Sequence, residues 1–556
     1  MRAFLFSVLY CGAALAQTAT APKFIAADVH ITPPSSFMPM VRGPFFGDDR
    51  YEIHDATLVD LIHAAYGVDP DRIYGGPSWV DFDRFDVVAR VPKGSTPASH
   101  KLMLQALLAE RFGLTTRNDT KPLPAYKLTV AKPGKLQEAN GGETGCNFKV
   151  ENMGPPPPPP PSGSGEPRPA IRIPILSYTC HGTTMAALAE TLAGAPGANG
   201  YFDNKPMVDQ TGLEGAFDFT LRYTPKLPEG LVALGDAMPL FQSLEGQLGL
   251  KAELTTVPMP VIVVESAIEK PTPNSPDVSK SLPPAPSEFD VAEIKPSPPG
   301  SQGRGGQPEI RNGRVMVPNM TLQNLVGLAW DLSPNEEITG MPKWFNTDRF
   351  DLIAQAPEGV AVGNLTPGNG RSMSINIDAL RPMLRSLLIE RFQMQVHMED
   401  RPTNTWILTA PKPKLQPADP KGRTKWTNNS APQGRGGRQG GPPGMSIACT
   451  NMSMAEFASA LQGIDPFEIR NSVEDATGLK GNWDFTFRFS PSFQFDGGRN
   501  GDGPQAGPGG AEASAPSGAL SMMDALSKEL GLKLELQKRP RPALVIDHVN
   551  EKPSEN

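Results

Sequence analysis

One phrase recurs four times along the chain. Phe85-Asp86-Val87-Val88-Ala89-Arg90 returns as Phe217-Asp218-Phe219-Thr220-Leu221-Arg222, as Phe350-Asp351-Leu352-Ile353-Ala354-Gln355 and as Trp483-Asp484-Phe485-Thr486-Phe487-Arg488. Internal repetition restricts a chain to architectures built by stacking or linking like modules. It also lets the sequence be compared with itself, because a site that every module needs should appear in every module.

The copies are arranged as two halves of two quarters each. Phe24 matches Phe289, Trp79 matches Trp344, and Glu110-Arg111-Phe112 matches Glu390-Arg391-Phe392. Further on, Cys180 matches Cys449, Thr211-Gly212-Leu213 matches Thr477-Gly478-Leu479, and Gly249-Leu250-Lys251 matches Gly531-Leu532-Lys533. The expected organisation is a first half with quarter 1A at 24–134 and quarter 1B at 177–271, then a linker at 272–286. Quarter 2A follows at 287–415 and quarter 2B at 445–556. Insertions are placed at 135–176, rich in proline, and 416–444, rich in glycine. The tracts Pro155–Pro161, Pro271–Pro286, Pro296–Pro308, Gly434–Pro443 and Gly497–Gly518 are expected to be linkers and disordered loops, since such tracts bury too little surface to order themselves.

Each quarter opens a helix at a Thr or Ser followed by apolar residues at i, i+3, i+4 and i+7. The sets are Leu58, Leu61, Ile62, Ala65; Met185, Leu188, Ala189, Leu192; Leu322, Leu325, Val326, Ala329; and Met454, Phe457, Ala458, Leu461. That spacing lays one apolar stripe along a helix. Thr57, Thr184, Thr321 and Ser453 are placed to cap the first turn, and Asp60 and Glu456 complete capping boxes. A second stripe runs Leu104, Leu108, Phe112 in 1A and recurs in every quarter; three of these helices stop at Gly113, Gly249 and Gly531, and Gln393 is the exception. Two short strands are expected after each second helix, such as Lys251 to Leu254 then Val261 to Ser266, and Lys533 to Gln537 then Ala543 to Val549. Helices striped on one side and strands alternating on one side give an α+β class: tandem two-layer modules with helices packed on one face of mixed sheets. The pattern leaves open whether the two quarters of a half share one core.

The 52 Lys plus Arg against 59 Asp plus Glu give a formal net charge of -7, which speaks for solubility and against nucleic acid as a partner. Met1-Arg2 and the apolar stretch to Ala14-Leu15-Ala16 read as a secretory signal peptide over 1–16, so export to the periplasm or the extracellular space is expected. No later run approaches the roughly 18 apolar residues of a membrane span. In an exported protein Cys146 and Cys180 are expected to form a disulfide closing the proline-rich insertion, leaving Cys449 without a partner.

The order Thr-Leu-x-x-Leu, Gly-x-Pro-x-Trp, Asp-Arg-Phe-Asp, Leu-Leu-x-Glu-Arg-Phe, Thr-Gly-Leu-x-Gly-x-aromatic-Asp-Phe-Thr and the tail from Val545 to Asn556 resembles a soil-associated family of secreted proteins abundant in acidobacteria, here as a tandem copy. That family has no assigned activity. The segment from Met185 to Val264 also resembles, more weakly, the short N-terminal domain of secretins and TonB-dependent receptors. The first resemblance extends to relatives fused to membrane metallopeptidases of the β-lactam-sensor type. Both imply binding or signalling at the cell envelope, through an envelope or extracellular protein or glycan.

The best candidates for a shared chemical role are Asp86, Asp218, Asp351 and Asp484, as acids, as ligands, or as caps on neighbouring backbone or partners of Arg84 and Arg349. Asp81, Asp83 and Asp86, mirrored by Asn346, Asp348 and Asp351, lack the glycine turn and distal Glu of a calcium loop. His30, His63, His181, His397 and His548 face Lys295, Gly327, Thr450, Arg117 and Ser266 in the other half, so no histidine chemistry recurs. Cys180-His181 are neighbours in sequence, a poor guide to a nucleophile and its base. Tyr66, Trp79, Trp330 and Trp344 could line a groove, but their recurrence suits core packing. No metal or cofactor is implied. The expectation is a non-enzymatic exported binding or scaffold protein; the alternative is a secreted hydrolase of cell-wall or environmental polymers that uses acidic residues.

Overall fold

The computed structural model describes residues 22–33, 40–142, 144–151, 170–172, 174–203, 205–226, 232–234, 238–298, 309–311, 313–332, 338–363, 375–419, 422–428, 445–465, 468–490 and 520–554. Residues 1–16, where a signal peptide is expected, and most of the proline- and glycine-rich insertions lie outside them.

Each quarter builds a four-stranded antiparallel sheet. In 1A the order is Ala26–Ile31, Arg84–Arg90, Arg50–Thr57, Arg42–Phe46; in 2A it is Val291–Pro296, Arg349–Gln355, Arg314–Thr321, Glu309–Arg311. Quarters 1B and 2B repeat the plan, with Phe217–Tyr223 beside Leu176–Thr183 and Asn482–Phe489 beside Met445–Ser453. The strand bearing the recurrent aromatic-Asp pair is therefore internal in every sheet.

The helices begin where their caps dictate. Thr57 with Asp60 and Ser453 with Glu456 form complete capping boxes, while Thr184 and Thr321 cap through their hydroxyls alone. Gly113, Gly249 and Gly531 close the second helices in the left-handed conformation, and Gln393 adopts it too, at φ 48°.

The two quarters of a half have separate cores joined by a ribbon. Strand Thr115–Val130 leaves 1A, runs into 1B, and pairs antiparallel along its whole length with the returning strand Leu250–Ser266. At about 3.3 Å per residue this ribbon spans roughly 50 Å. At one end Ile262 and Val264 join the 1A core of Val29, Ile53, Leu61, Phe85 and Phe112. At the other Leu128 and Leu250 join the 1B core of Leu188, Leu221 and Leu244. Gln395–Thr409 and Lys533–His548 form the second ribbon, with Leu544 and Ile546 in the 2A core and Leu408 and Leu532 in that of 2B. Quarters 1A and 2A are therefore not contiguous stretches of chain, because the last strand of each half completes the core of its first quarter, whereas the 1B and 2B cores are drawn from 126–250 and 408–532.

The expected pairs of short strands after the 1B and 2B second helices are thus single long strands. Prolines are tolerated within them because Pro258 faces Pro122 and Pro540 faces Pro402 across the ribbons, where neither N–H is needed by the partner strand. There they also remove outward donors from open edges, which discourages pairing with another chain.

The halves meet through polar contacts around 1A. The Asp48 N–H donates to the Gly359 carbonyl at 3.1 Å, and the Thr424 N–H to the Ser78 carbonyl at 2.9 Å. Arg423 pairs with Asp81 and donates to the Ile73 carbonyl at 2.8 Å, while Phe82 packs against the 2B core.

Candidate functional site

The four recurrent aspartates do one job on the backbone. In each sheet the strand preceding the first helix bulges, and one residue in the bulge is left-handed: Asp55 (φ 54°), Gly182 (54°), Asn319 (53°) and Asn451 (49°). These are the residue types that tolerate this conformation. The extra residue falls out of the ladder and its N–H loses a strand partner. The aspartate replaces it: Oδ1 of Asp86, Asp218 and Asp351 each accepts that N–H at 2.8 Å, and Oδ1 of Asp484 at 2.7 Å. The carbonyl of the same residue accepts from Arg84 at 2.5 Å, Arg349 at 2.9 Å and Asn482 at 3.0 Å in three quarters. In those three quarters the bulged residue is clipped on both sides, and in all four the helix cap follows two residues later and the helix three. Arg84 and Arg349 thus hold the clipped carbonyl rather than Asp86 and Asp351; the side chain within reach of Arg84 is that of Asp55, at 3.7 Å.

Quarter 1A adds an ionic cluster to this clip. The other oxygen of Asp86 lies 3.6 Å from His30 Nε2 and 3.7 Å from His54 Nδ1, and Oδ1 also accepts from Thr32 at 2.8 Å. Beyond His54 stands Glu52, 4.0 Å from Nε2, which accepts from Arg50 and, at 2.8 Å, from the amide of Asn376 in the second half. Asn376 is fully buried and caps the helix Ile377–Phe392. Arg42 spans Asp55 at 3.4 Å and Asp378 at 2.7 Å, and Asp378 continues to Arg381 at 2.9 Å. Arg42, Glu52, His54, Asp55 and Asp86 are all buried.

The charges in this cluster set one another. Burial works to raise the Asp86 carboxyl, yet His30, His54 and the Asp55 N–H hold it far below the usual carboxylate range. Burial would likewise lower His54, but Asp86, Asp378 and Glu52 outweigh it and the imidazole is raised. His30 is raised chiefly by its contact with Asp86. Burial raises Asp55 despite Arg84 and Arg42.

The remaining candidates lie apart. Asp81 faces Arg423, and Asp83 stands near Glu269 and Glu456, where burial first and those carboxylates second push it up to about 6. Among the described residues no group of three or more His, Cys, Asp or Glu is arranged to hold a metal ion. Cys180 is bonded to Cys146, directly across the strand pair, while His181 is exposed and 3.7 Å from Asp218. Cys449 is buried and reduced, and Trp426 occupies the position facing it that Cys146 holds in 1B. Burial raises its thiol strongly, which keeps it unreactive. Trp79 is a core residue; Tyr66, Trp330 and Trp344 are half-buried against the A-quarter cores.

A cleft of about 410 Å³ lies between Phe24, Met103, Leu107 and the strap that follows the first ribbon. Its Arg111 donates to the Thr272 carbonyl at 2.9 Å and the Ala27 carbonyl at 3.3 Å, and its Lys23 pairs with Glu110. The Thr272 N–H returns to the Arg111 carbonyl at 2.8 Å, as Ser554 does to Arg391 at 2.7 Å, so this arginine motif fastens the strap in both halves.

His54, Glu52, Arg42, Asn376 and Asp378 were not singled out by the repeat. The available signal was a difference: Glu52 and His54 match Met316 and Pro318 in a strand that otherwise repeats. A charged pair at alternate positions of one copy marks a face with a different neighbour.

These features define a tandem α+β module protein in which each pair of modules is tied by a long ribbon. The family described as "Protein of unknown function (DUF3738)" matches residues 59–267 and again 323–549, well over half the chain, and the protein belongs to it as a tandem copy. No curated protein and no solved structure matches the chain significantly.

Proposed function

We propose that this protein is a non-enzymatic exported binding or scaffold protein that engages an envelope or extracellular protein or glycan. The observation that carries this reading is a pair of exposed leucines at equivalent ribbon positions, Leu254 (52% exposed) and Leu536 (47%). Each continues the inward-facing stripe of its strand past the edge of a B-quarter core, from Leu250 and from Leu532. An exposed apolar side chain needs no explanation singly, but recurrence at one position of two diverged copies points to a shared surface. The Cys146–Cys180 disulfide suits an oxidising compartment outside the cytoplasm. The weaker sequence resemblance of Met185 to Val264 to envelope-receptor domains points the same way, as an analogy only. No described helix is long and apolar enough to cross a membrane.

The test is crosslinking capture from a native envelope fraction with the whole chain and with the L254D/L536D variant, alongside immobilised cell-wall glycans. A specific partner captured by the parent and lost in a variant that melts normally supports the reading. Equal capture by both contradicts it. One observation favours the hydrolase alternative: Asp83, raised to about 6 beside Glu269, has the poise of a general acid. Release of soluble sugars from cell-wall polymer by the parent, and its loss in D83N, would establish that alternative instead.

A further inference from the structure

The junction between the halves is made of ionisable groups, and two of them are held at both of its contacts with 1A. At the 2A contact stands His54. It faces Asp86 from the neighbouring strand, Glu52 from its own strand and Asp378 from the second-half helix; Arg42 and Arg50 pair with Asp378 and Glu52. His30 stands on the far side of Asp86, and Asp55 reaches toward Arg42. His54 is 7% exposed and its Nε2 has no hydrogen-bond partner. A buried neutral imidazole nitrogen aimed at a carboxylate 4.0 Å away gains a favourable interaction only when it carries a proton.

At the 2B contact stands Asp83. It adjoins Phe82, which packs on the 2B core, and faces Glu269 of the first half and Glu456 of the 2B helix Met454–Ile464. Glu456 is committed to its capping box, where it accepts the Ser453 N–H at 2.6 Å. Glu456 reaches Asp83 from the other half and adds to the raising effect of burial and Glu269, so docking is favoured when Asp83 is neutral.

We propose that the junction is a protonation-controlled latch, tight when His54 and Asp83 carry their protons and loosened when they lose them. Both groups act in the same sense. Asp378 reaches His54 and Glu456 reaches Asp83 from the second half, so docking brings an acidic group to each and favours its protonated form, a gain present at low pH and lost as pH rises. For Asp83 the loss runs from the ordinary 3.8 to about 6. For His54 it begins above the ordinary 6.5. Mild acid therefore holds the four quarters as one body, and a neutral to alkaline surrounding frees the second half to separate from 1A.

Two hydrogen bonds report each contact separately: Asp48 N–H to Gly359 and Thr424 N–H to Ser78. Amide hydrogen exchange on the whole chain, corrected for intrinsic rate, is compared at pH 5 and pH 8. The Gln210 N–H, bonded to Leu128 within the first half, serves as the folding control. Protection at Asp48 and at Thr424 is expected to fall about tenfold at pH 8 while Gln210 is unchanged. D83N, a neutral isostere of the protonated acid, should keep Thr424 protected at pH 8. H54Q should leave Asp48 poorly protected at both pH values. Should H54Q also lower Gln210, the parent and D83N decide the matter. Protection independent of pH in the parent, or D83N tracking the parent at Thr424, overturns the latch.

Discussion

Quarters 1A and 2A share a strand order, a capped helix and an aspartate clip, yet Asp86 sits in an ionic cluster and Asp351 does not. Asp351 accepts the Asn319 N–H and the Ser297 hydroxyl, and among the described residues no histidine joins it. Asp86 accepts the same pair and adds His30 and His54. At the matching positions 2A has Lys295 and Pro318. The clip is what the fold requires, and the cluster is what one copy gained because the other half covers its outer face.

The sharpest way to break this comparison is to remove each aspartate. Asp86→Ala removes the nearest counter-charge of buried His54 together with the clip and should cost about 3–5 kcal/mol in urea unfolding. Asp351→Ala loses only the clip and should cost about 1–3 kcal/mol. Equal costs would show that the cluster adds nothing. The B quarters offer a parallel contrast at Cys180 and Cys449. Cys180→Ser opens the 34-residue disulfide loop and should cost about 2–4 kcal/mol, a loss that reductant reproduces in the parent. Cys449→Ala removes a small buried group and should cost about 1 kcal/mol, with no response to reductant. The smallest contrast lies at the helix ends. Gln393 holds a left-handed conformation that Gly113 holds without strain. Gln393→Gly should therefore stabilise by about 0.5–1 kcal/mol, and Gly113→Ala destabilise by a similar amount, read as opposite shifts in melting temperature.

Much of the fold was legible because it is local or repeated. The stripes from Leu58, Met185, Leu322 and Met454, the caps at Thr57 and Ser453 and the stops at Gly113 and Gly249 all reflect short-range chemistry. The ribbons were less legible, because Pro258 and Pro540 interrupt the local strand signal and only the partner strand shows that their missing N–H groups are not needed. The clip was half legible: the recurrence of Asp86, Asp218, Asp351 and Asp484 marked the acceptor, while the donor lies more than thirty residues earlier. Even so, Asp55, Gly182, Asn319 and Asn451 share a tolerance for positive φ that comparing the four copies could have exposed. The 1A cluster was not legible, since Asn376 and Asp378 reach it from more than 300 residues away.

The central claim is that the fourfold aspartate is a backbone clip, and amide exchange at its four N–H donors tests it most directly. Each of D86A, D218A, D351A and D484A should lose protection at its own bulge residue, respectively 55, 182, 319 and 451, while the other three are retained. The Asn variants keep an acceptor oxygen and should stay protected. Unchanged protection at all four bulges in the Ala variants, with the protein stably folded, would contradict the clip and return these aspartates to the list of ligands or acids.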